Sequence, residues 1–248
     1  MAINYTKAQA REILAMAKEM PDHLYTLDCL KWTGEATDSR EPFTEILAGV
    51  LLSGRDAPIQ DELNRILPIP RKLPYFVNHK YADLIKTFDS EARFAKALLK
   101  AGQMSDIGII VDEQVPLKAN RVGWGGKIDL VSEKGEELII IELKYYHQKR
   151  NTIEGILRPI IEISTYAQQL QVEKFLSEYN TKYTANKKRV SKAILLQWNK
   201  YKAEIQGIRN HQLANIRKLI EILGIRVFVF ELNEDIMVTA SGIKELVF

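Results

Sequence analysis

Residues 125 to 146 read GGKIDLVSEKGEELIIIELKYY. The run Leu138-Ile139-Ile140-Ile141 is apolar without alternation, the pattern of a central strand covered on both faces. It continues directly into Glu142 and Lys144. Two residues apart on a strand, these two charges point to one face while Leu143 points to the other. Charges at the end of a core strand are costly unless they are paired or put to use. Upstream, GKIDLVS (126 to 132) reads as the partner strand, and Glu133-Lys134-Gly135-Glu136 as the turn of a hairpin.

Hairpin arithmetic then decides where Asp129 points. With a loop of two or four residues, paired positions sum to 269, which sets Lys127 opposite Glu142 and Asp129 opposite Ile140. Asp129 then shares a face with Glu142, one diagonal away at roughly 7 to 8 Å or less. A loop of three or five residues without a bulge turns Asp129 to the other face. With the even loop, two carboxylates and an ammonium gather on one sheet face. The carboxylates are hard oxygen ligands suited to Mg²⁺ or Mn²⁺. A metal there acidifies its water and stabilises charge on phosphoryl oxygens, and Lys144 supplies a compact positive charge for the attacking water.

Outward from this hairpin, Ser90 caps a helix to about Lys100, with Phe94, Ala97, Leu98 and Ala101 on one face and Gly102 ending it. IGIIVDEQV (107 to 115) reads as a strand. Ile156, Ile160, Ile163, Ala167 and Leu170 make one apolar stripe, which predicts a long helix over about 156 to 178 with Pro159 near its start. VSKAILLQW (190 to 198) and IRVFVFEL (225 to 232) read as strands, with HQLANIRKLIEILG (211 to 224) an amphipathic helix between them. The order from residue 90 is αβββαβαβ, an α/β fold with a mixed sheet covered by helices on both faces. Residues 1 to 88 form a helical extension, with helices over about 6 to 19, 42 to 53 and 58 to 67, stopped by Pro68, Pro70 and Pro74. Residues 89 to 248 form the core domain.

Composition excludes several classes. The 248 residues, 46% hydrophobic and 27% charged, are enough for a core without staples. Cys29 is the one cysteine, so no internal disulfide forms and a reducing cytoplasm is expected. The longest apolar run, seven residues at 46 to 52, is far short of the roughly 20 that cross a bilayer, and charges interrupt the N-terminal apolar positions where a signal peptide has none. The net charge of +3 is unevenly spread: residues 144 to 226 carry 16 Lys plus Arg against 6 Asp plus Glu. That asymmetry suits a polyanionic partner or a solvated basic face.

Asp129, a twelve-residue gap and Glu142-Leu143-Lys144 resemble the signature of the PD-(D/E)XK nuclease superfamily. The surrounding αβββαβ order over about 88 to 232 is similar to that superfamily's restriction-endonuclease-like core. The triplet is the only [D/E]-x-K in the chain, where chance alone supplies about one or two E-x-K at this length. Ile128 stands where the signature has Pro. The resemblance implies metal-dependent hydrolysis of DNA phosphodiesters, with RNA also open, Asp129 and Glu142 on the metal, and Lys144 assisting the water. It further implies an acidic ligand from the preceding helix, for which Glu91 is the best match and Glu45 a weaker one. Some relatives use a polar helix after the catalytic strand. Here Glu162, Tyr166 and Gln169 share one face, extended by Arg158 if the helix begins before Pro159; they are candidates to hold the lysine or meet phosphate.

Other residues carry weaker signals. Lys187, Lys188, Arg189 and Lys192, near Tyr179, Tyr183, Trp198 and Tyr201, suit a nucleic-acid backbone and its bases, or a solvated loop. His23, His79, His147 and His211 lack metal-ligand spacing, His147 alone following the catalytic strand. Gly123-Trp124-Gly125-Gly126 reads as a turn into the Asp129 strand rather than a phosphate loop. Three readings remain: an active nuclease, a nuclease-fold module that binds nucleic acid or serves an assembly without cutting, or a purely structural protein whose basic region lies against a protein partner. A second copy of the chain is a possible partner.

Overall fold

The computed structural model describes residues 5–17, 19–53, 59–76, 90–120, 125–146, 153–232 and 242–248. His79, His147, Gly123 and Trp124 lie outside them. Among the described residues, seven strands form one sheet whose spatial order is their order along the chain. Strands β1 (Gln103–Met104), β2 (Gly108–Pro116), β3 (Lys127–Lys134) and β4 (Glu137–Lys144) are antiparallel neighbours. Strands β5 (Arg189–Gln197) and β6 (Ile225–Phe230) run parallel to β4, and β7 (Ile243–Leu246) turns antiparallel again. The sheet is therefore mixed, as the sequence predicts, with β1 and β7 added at its edges.

Strand β4 has helices over both faces, which is why its apolar run does not alternate. Leu138 and Ile140 join one hydrophobic cluster, Ile139, Ile141 and Leu143 the other. The second face is covered by helix α4 (Glu91–Ala101) through Phe94, Ala95 and Leu98. Ser90 caps α4 by accepting from the Arg93 N–H at 3.4 Å, and Gly102, at φ +73°, ends it. Ala95 rather than Ala101 completes the buried face.

The hairpin closes differently from the arithmetic. Lys134 pairs with Glu137, so paired positions sum to 271 and the loop is Gly135-Glu136. Gly135 takes φ +57°, a value that strains other residues, and this places the two-residue turn around it. The even loop, and with it the face of Asp129, is retained; the register slides by two.

The other face carries α5 (Leu157–Gln169), α6 (Val172–Tyr183), α7 (Trp198–Arg209) and α8 (Ala214–Ile222). The single helix expected over 156 to 178 breaks at Leu170, whose ψ is 130°. The segment after Pro68 takes up the groups freed there: the Ile69 N–H donates to the Gln169 carbonyl at 2.8 Å, and the Gln171 N–H to the Tyr75 hydroxyl at 3.2 Å. The sequence reading missed α7, although Tyr201, Ile205 and Ile208 mark its buried face at helical spacing. In the N-terminal part lie α1 (Lys7–Ala17), α2 (Phe43–Leu52) and α3 (Ile59–Asn64). Helix α3 ends before the expected residue 67, because Pro68 disfavours helical backbone at Leu67, which is left 80% exposed. Leu47, Leu63 and Tyr75 belong to the same cluster as Ile160 and Ile163 of α5, so the extension and the sheet's helical layer share one core. No described helix is long and apolar enough to cross a membrane.

Glu204 of α7 ties this layer to the entry of α5. One carboxylate oxygen accepts from the Ile156 N–H at 3.1 Å; the other is buried without a partner among the described residues. Burial pushes its pKa up to about 7. A carboxyl raised on folding binds its proton more tightly in the folded state. Its stabilising contribution is full below the ordinary carboxylate range and is lost as pH rises through about 7. Glu204→Gln keeps the acceptor and removes the titration. Its unfolding free energy in urea is expected to be close to wild type at pH 5 and to exceed it at pH 8 by roughly 2 to 3 kcal/mol. Equal stabilities at both pH values would contradict this.

Candidate active site

The three signature residues meet at the C-terminal end of β4. Glu142 and Lys144 are 3% and 6% exposed and face α5, while Leu143 faces α4. The Lys144 Nζ lies 2.5 Å from Glu142 Oε1 and 3.4 Å from Glu162 Oε2. The β3–β4 ladder runs as far as Leu130 and Ile141. Past that point the Asp129 carboxylate takes the ladder's place, accepting from the Leu143 N–H at 3.0 Å. Its other oxygen accepts from the Gln114 side-chain amide at 2.8 Å.

Gln114 is a site residue that sequence reasoning missed. It sits on β2 between Glu113 and Val115, which pair with Leu130 and Ile128, and its backbone takes φ +52°. A register shift between Ile110 and Asp112 sets this alignment, and nothing in the local sequence announces it.

Helix α5 begins early enough to include Arg158, and three of its residues close the site. Tyr166 donates its hydroxyl to Glu162 Oε1 at 3.0 Å, and Arg158 pairs with Glu154 and stands 3.8 Å from Glu162 Oε2. The Tyr166 ring lies on the backbone of Gly126, where a Cβ atom would come within 2.3 Å of it. That close approach explains Gly126 better than a turn requirement does. From the other side of the sheet, Glu91 opens α4 and accepts from the Tyr145 N–H at 3.1 Å. Glu91, Asp129, Glu142, Lys144, Arg158 and Glu162 line one cavity of about 360 Å³.

The electrostatics follow from crowding like charges out of water. Burial, opposed by Lys144 and reinforced by Asp129, raises Glu91 to about 7. Burial likewise raises Asp129 and, together with the Asp129 charge, holds Glu142 well above the carboxylate range. For Lys144 burial alone would lower the pKa, but Glu142, Glu162, Glu91 and Asp129 outweigh it and keep the ammonium charged. Glu142 Oε2 is buried without a hydrogen-bond partner among the described residues. Those residues include no three Asp, Glu, His or Cys side chains arranged to hold a metal ion; an ammonium is interposed between Glu142 and Glu162.

Other expected site residues lie elsewhere. Gln169, on the turn after Tyr166, lines a separate cavity. Glu45 caps α8, accepting from the Asn215 and Ile216 N–H groups at 2.7 and 3.2 Å. Lys187, Lys188 and Arg189 pair with Glu133, Glu136 and Glu137 of the hairpin, at 2.8, 2.5 and 3.3 Å. Arg189 stands opposite Glu137 at the start of β4, seven residues from Lys144 and hence about 23 Å away. These bases brace the far end of the sheet and do not flank the site. Lys192, on β5 opposite Ile140, is half-buried, and burial lowers its pKa. Neither His23 nor His211 lines the cavity.

No family model, curated protein or solved structure matches the chain.

Two outcomes follow from this geometry. Lys144→Met leaves Glu142 and Glu162 buried without their cation and is expected to lose roughly 3 to 5 kcal/mol in urea unfolding. Adding Glu142→Gln should return part of that loss. Gly126→Ala, which drives a methyl into the Tyr166 ring, should cost roughly 1 to 3 kcal/mol; an unchanged midpoint would mean that the ring is not held there.

Proposed function

We propose that the chain is a metal-dependent nuclease of the PD-(D/E)XK type, with a restriction-endonuclease-like core, hydrolysing phosphodiester bonds in DNA. The observation that carries this reading is the Lys144 ammonium buried beside Glu142 at the end of the central strand, with Asp129 on the partner strand, all facing one cavity. A structural role would be met more cheaply by apolar side chains at these positions.

The carboxylate oxygens of Asp129 and Glu142 are of the chemical kind that a hard divalent cation such as Mg²⁺ or Mn²⁺ takes, although Lys144 engages one of them. Glu142 Oε2 has no partner among the described residues, and the Asp129 oxygens retain further lone pairs. Asp129 and Glu142 would hold the ion, and Glu91, which lines the same cavity from α4, would have to swing inward to join them. Bound there, the ion would acidify a water and stabilise charge on the phosphoryl oxygens. Lys144, kept charged by its neighbours, orients the attacking water. Glu162, accepting from Tyr166, holds the lysine from the helix side, and Arg158 faces the cavity as a phosphate contact. RNA offers the same phosphodiester chemistry and is the natural second substrate to assay.

A second reading, a nuclease-fold module that binds nucleic acid or serves an assembly without cutting, is favoured by the 2.5 Å Lys144–Glu142 contact, which engages one prospective ligand oxygen. Cleavage of supercoiled plasmid and of single-stranded DNA in EDTA, Mg²⁺ and Mn²⁺ separates the two. The nuclease reading expects metal-dependent cutting, reduced at least about 100-fold in Lys144→Ala and Asp129→Asn. Salt-sensitive binding without cutting would support the non-catalytic module, and neither activity would sink both.

A further inference from the structure

A second cavity of about 610 Å³ lies between the Pro21–Thr26 turn, the stretch around Ile66 and Leu67, and the end of α5. Its size suits a nucleotide-sized ligand, and its walls are mixed in the manner of such sites. Tyr25, Ile66 and Ile69 give it apolar surface, and Leu67, 80% exposed, stands at its rim. Gln169 lines it as well. That side chain is only 7% exposed, yet its Oε1 is buried with no hydrogen-bond partner among the described residues. A buried carbonyl oxygen without a donor is rare unless a ligand or water supplies one.

The two cavities are neighbours across one aromatic pair. Tyr166 lines the catalytic cavity and meets Tyr25 of the second edge-on, with ring centroids 5.5 Å apart. Gly125 lines the second cavity and Lys127 the first, two residues or about 7 Å apart along the chain. The rim also holds Asp22, 3.7 Å from His23 Nε2, and Arg65, which donates to Glu62 at 2.7 Å. The nuclease reading assigns the phosphate to the first cavity, and Arg65 at the rim of the second is already engaged by Glu62.

We propose that the second cavity receives a nucleobase of the strand whose phosphate occupies the carboxylate cavity, with Gln169 Oε1 accepting a hydrogen bond from an N–H on the base. This rests on the nuclease reading and adds to it a base-binding subsite built partly by the N-terminal extension. A base has apolar faces and a polar edge, which matches aromatic and aliphatic walls around one buried acceptor. A ligand with neither an N–H nor an O–H would leave that acceptor unpaired.

The test is fluorescence anisotropy in EDTA with a fluorescein-labelled single-stranded oligonucleotide and its fully abasic counterpart. Wild type is expected to bind the base-containing strand at least about fivefold more tightly. Gln169→Leu should lose roughly three- to tenfold of that preference. Leu67→Ser, a neutral change at an exposed position, should weaken binding of the base-containing strand only. Equal affinity for the two strands, or wild-type preference in both variants, overturns the subsite while binding and wild-type cleavage leave the nuclease reading standing. No binding of either strand, with no cleavage, overturns both.

Discussion

One ammonium group organises the end of the sheet. Lys144 is buried where β4 stops, between Glu142 of its own strand and Glu162 of α5, and near Asp129 of β3 and Glu91 of α4. Four elements each supply a charge to the same small volume, and none of those carboxylates is at ease there without the cation. Burial raises Asp129, Glu142 and Glu91 above the carboxylate range, so the cluster holds more negative charge than one lysine compensates. That surplus makes the place chemically meaningful: it favours proton retention in a cavity open to a ligand.

The backbone is shaped around this cluster. The β3–β4 ladder gives way beyond Leu130 and Ile141, and Asp129 satisfies the Leu143 N–H that would otherwise be orphaned. Gln114, at a positive φ on β2, holds the other oxygen of Asp129. On the helix side, Gly126 has no Cβ, so Tyr166 can lie on the chain and reach Glu162. The N-terminal extension contributes through Tyr25, packed edge-on against Tyr166. The site is thus supported from β2, α5 and the extension together, which gives an apparent appendage a direct bearing on its geometry.

The charge asymmetry has a more ordinary meaning than a contiguous basic face. Lys187, Lys188 and Arg189 pair with acidic residues of the hairpin, and Arg226 with Glu137 and Glu245. Part of the basic excess between residues 144 and 226 is thus matched in space by acids from outside that stretch. A parallel pair such as β4 and β5 brings the starts of distant segments together, and counting charge along the chain does not register it.

By itself the sequence determined the kind of fold and the core of the site. The unbroken run at 138 to 141 requires a strand covered on both faces, and Glu142 and Lys144 share a face because side chains alternate. The Ser90 cap and the Gly102 stop are local chemistry, hence legible, and Glu91 follows from them. Tertiary structure decided what depends on partners far along the chain. The two-residue slide of the hairpin, the break of the long helix at Leu170 where the segment after Pro68 takes over its bonds, and the separation of Gln169 from Tyr166 all follow from packing that local periodicity does not contain. Gln114 reached Asp129 only through an irregular register, and the basic cluster found its acids only when the strands were laid side by side. Periodicity records which face of an element is buried; which other element buries it, and at what offset, is settled when the whole chain competes for the same core.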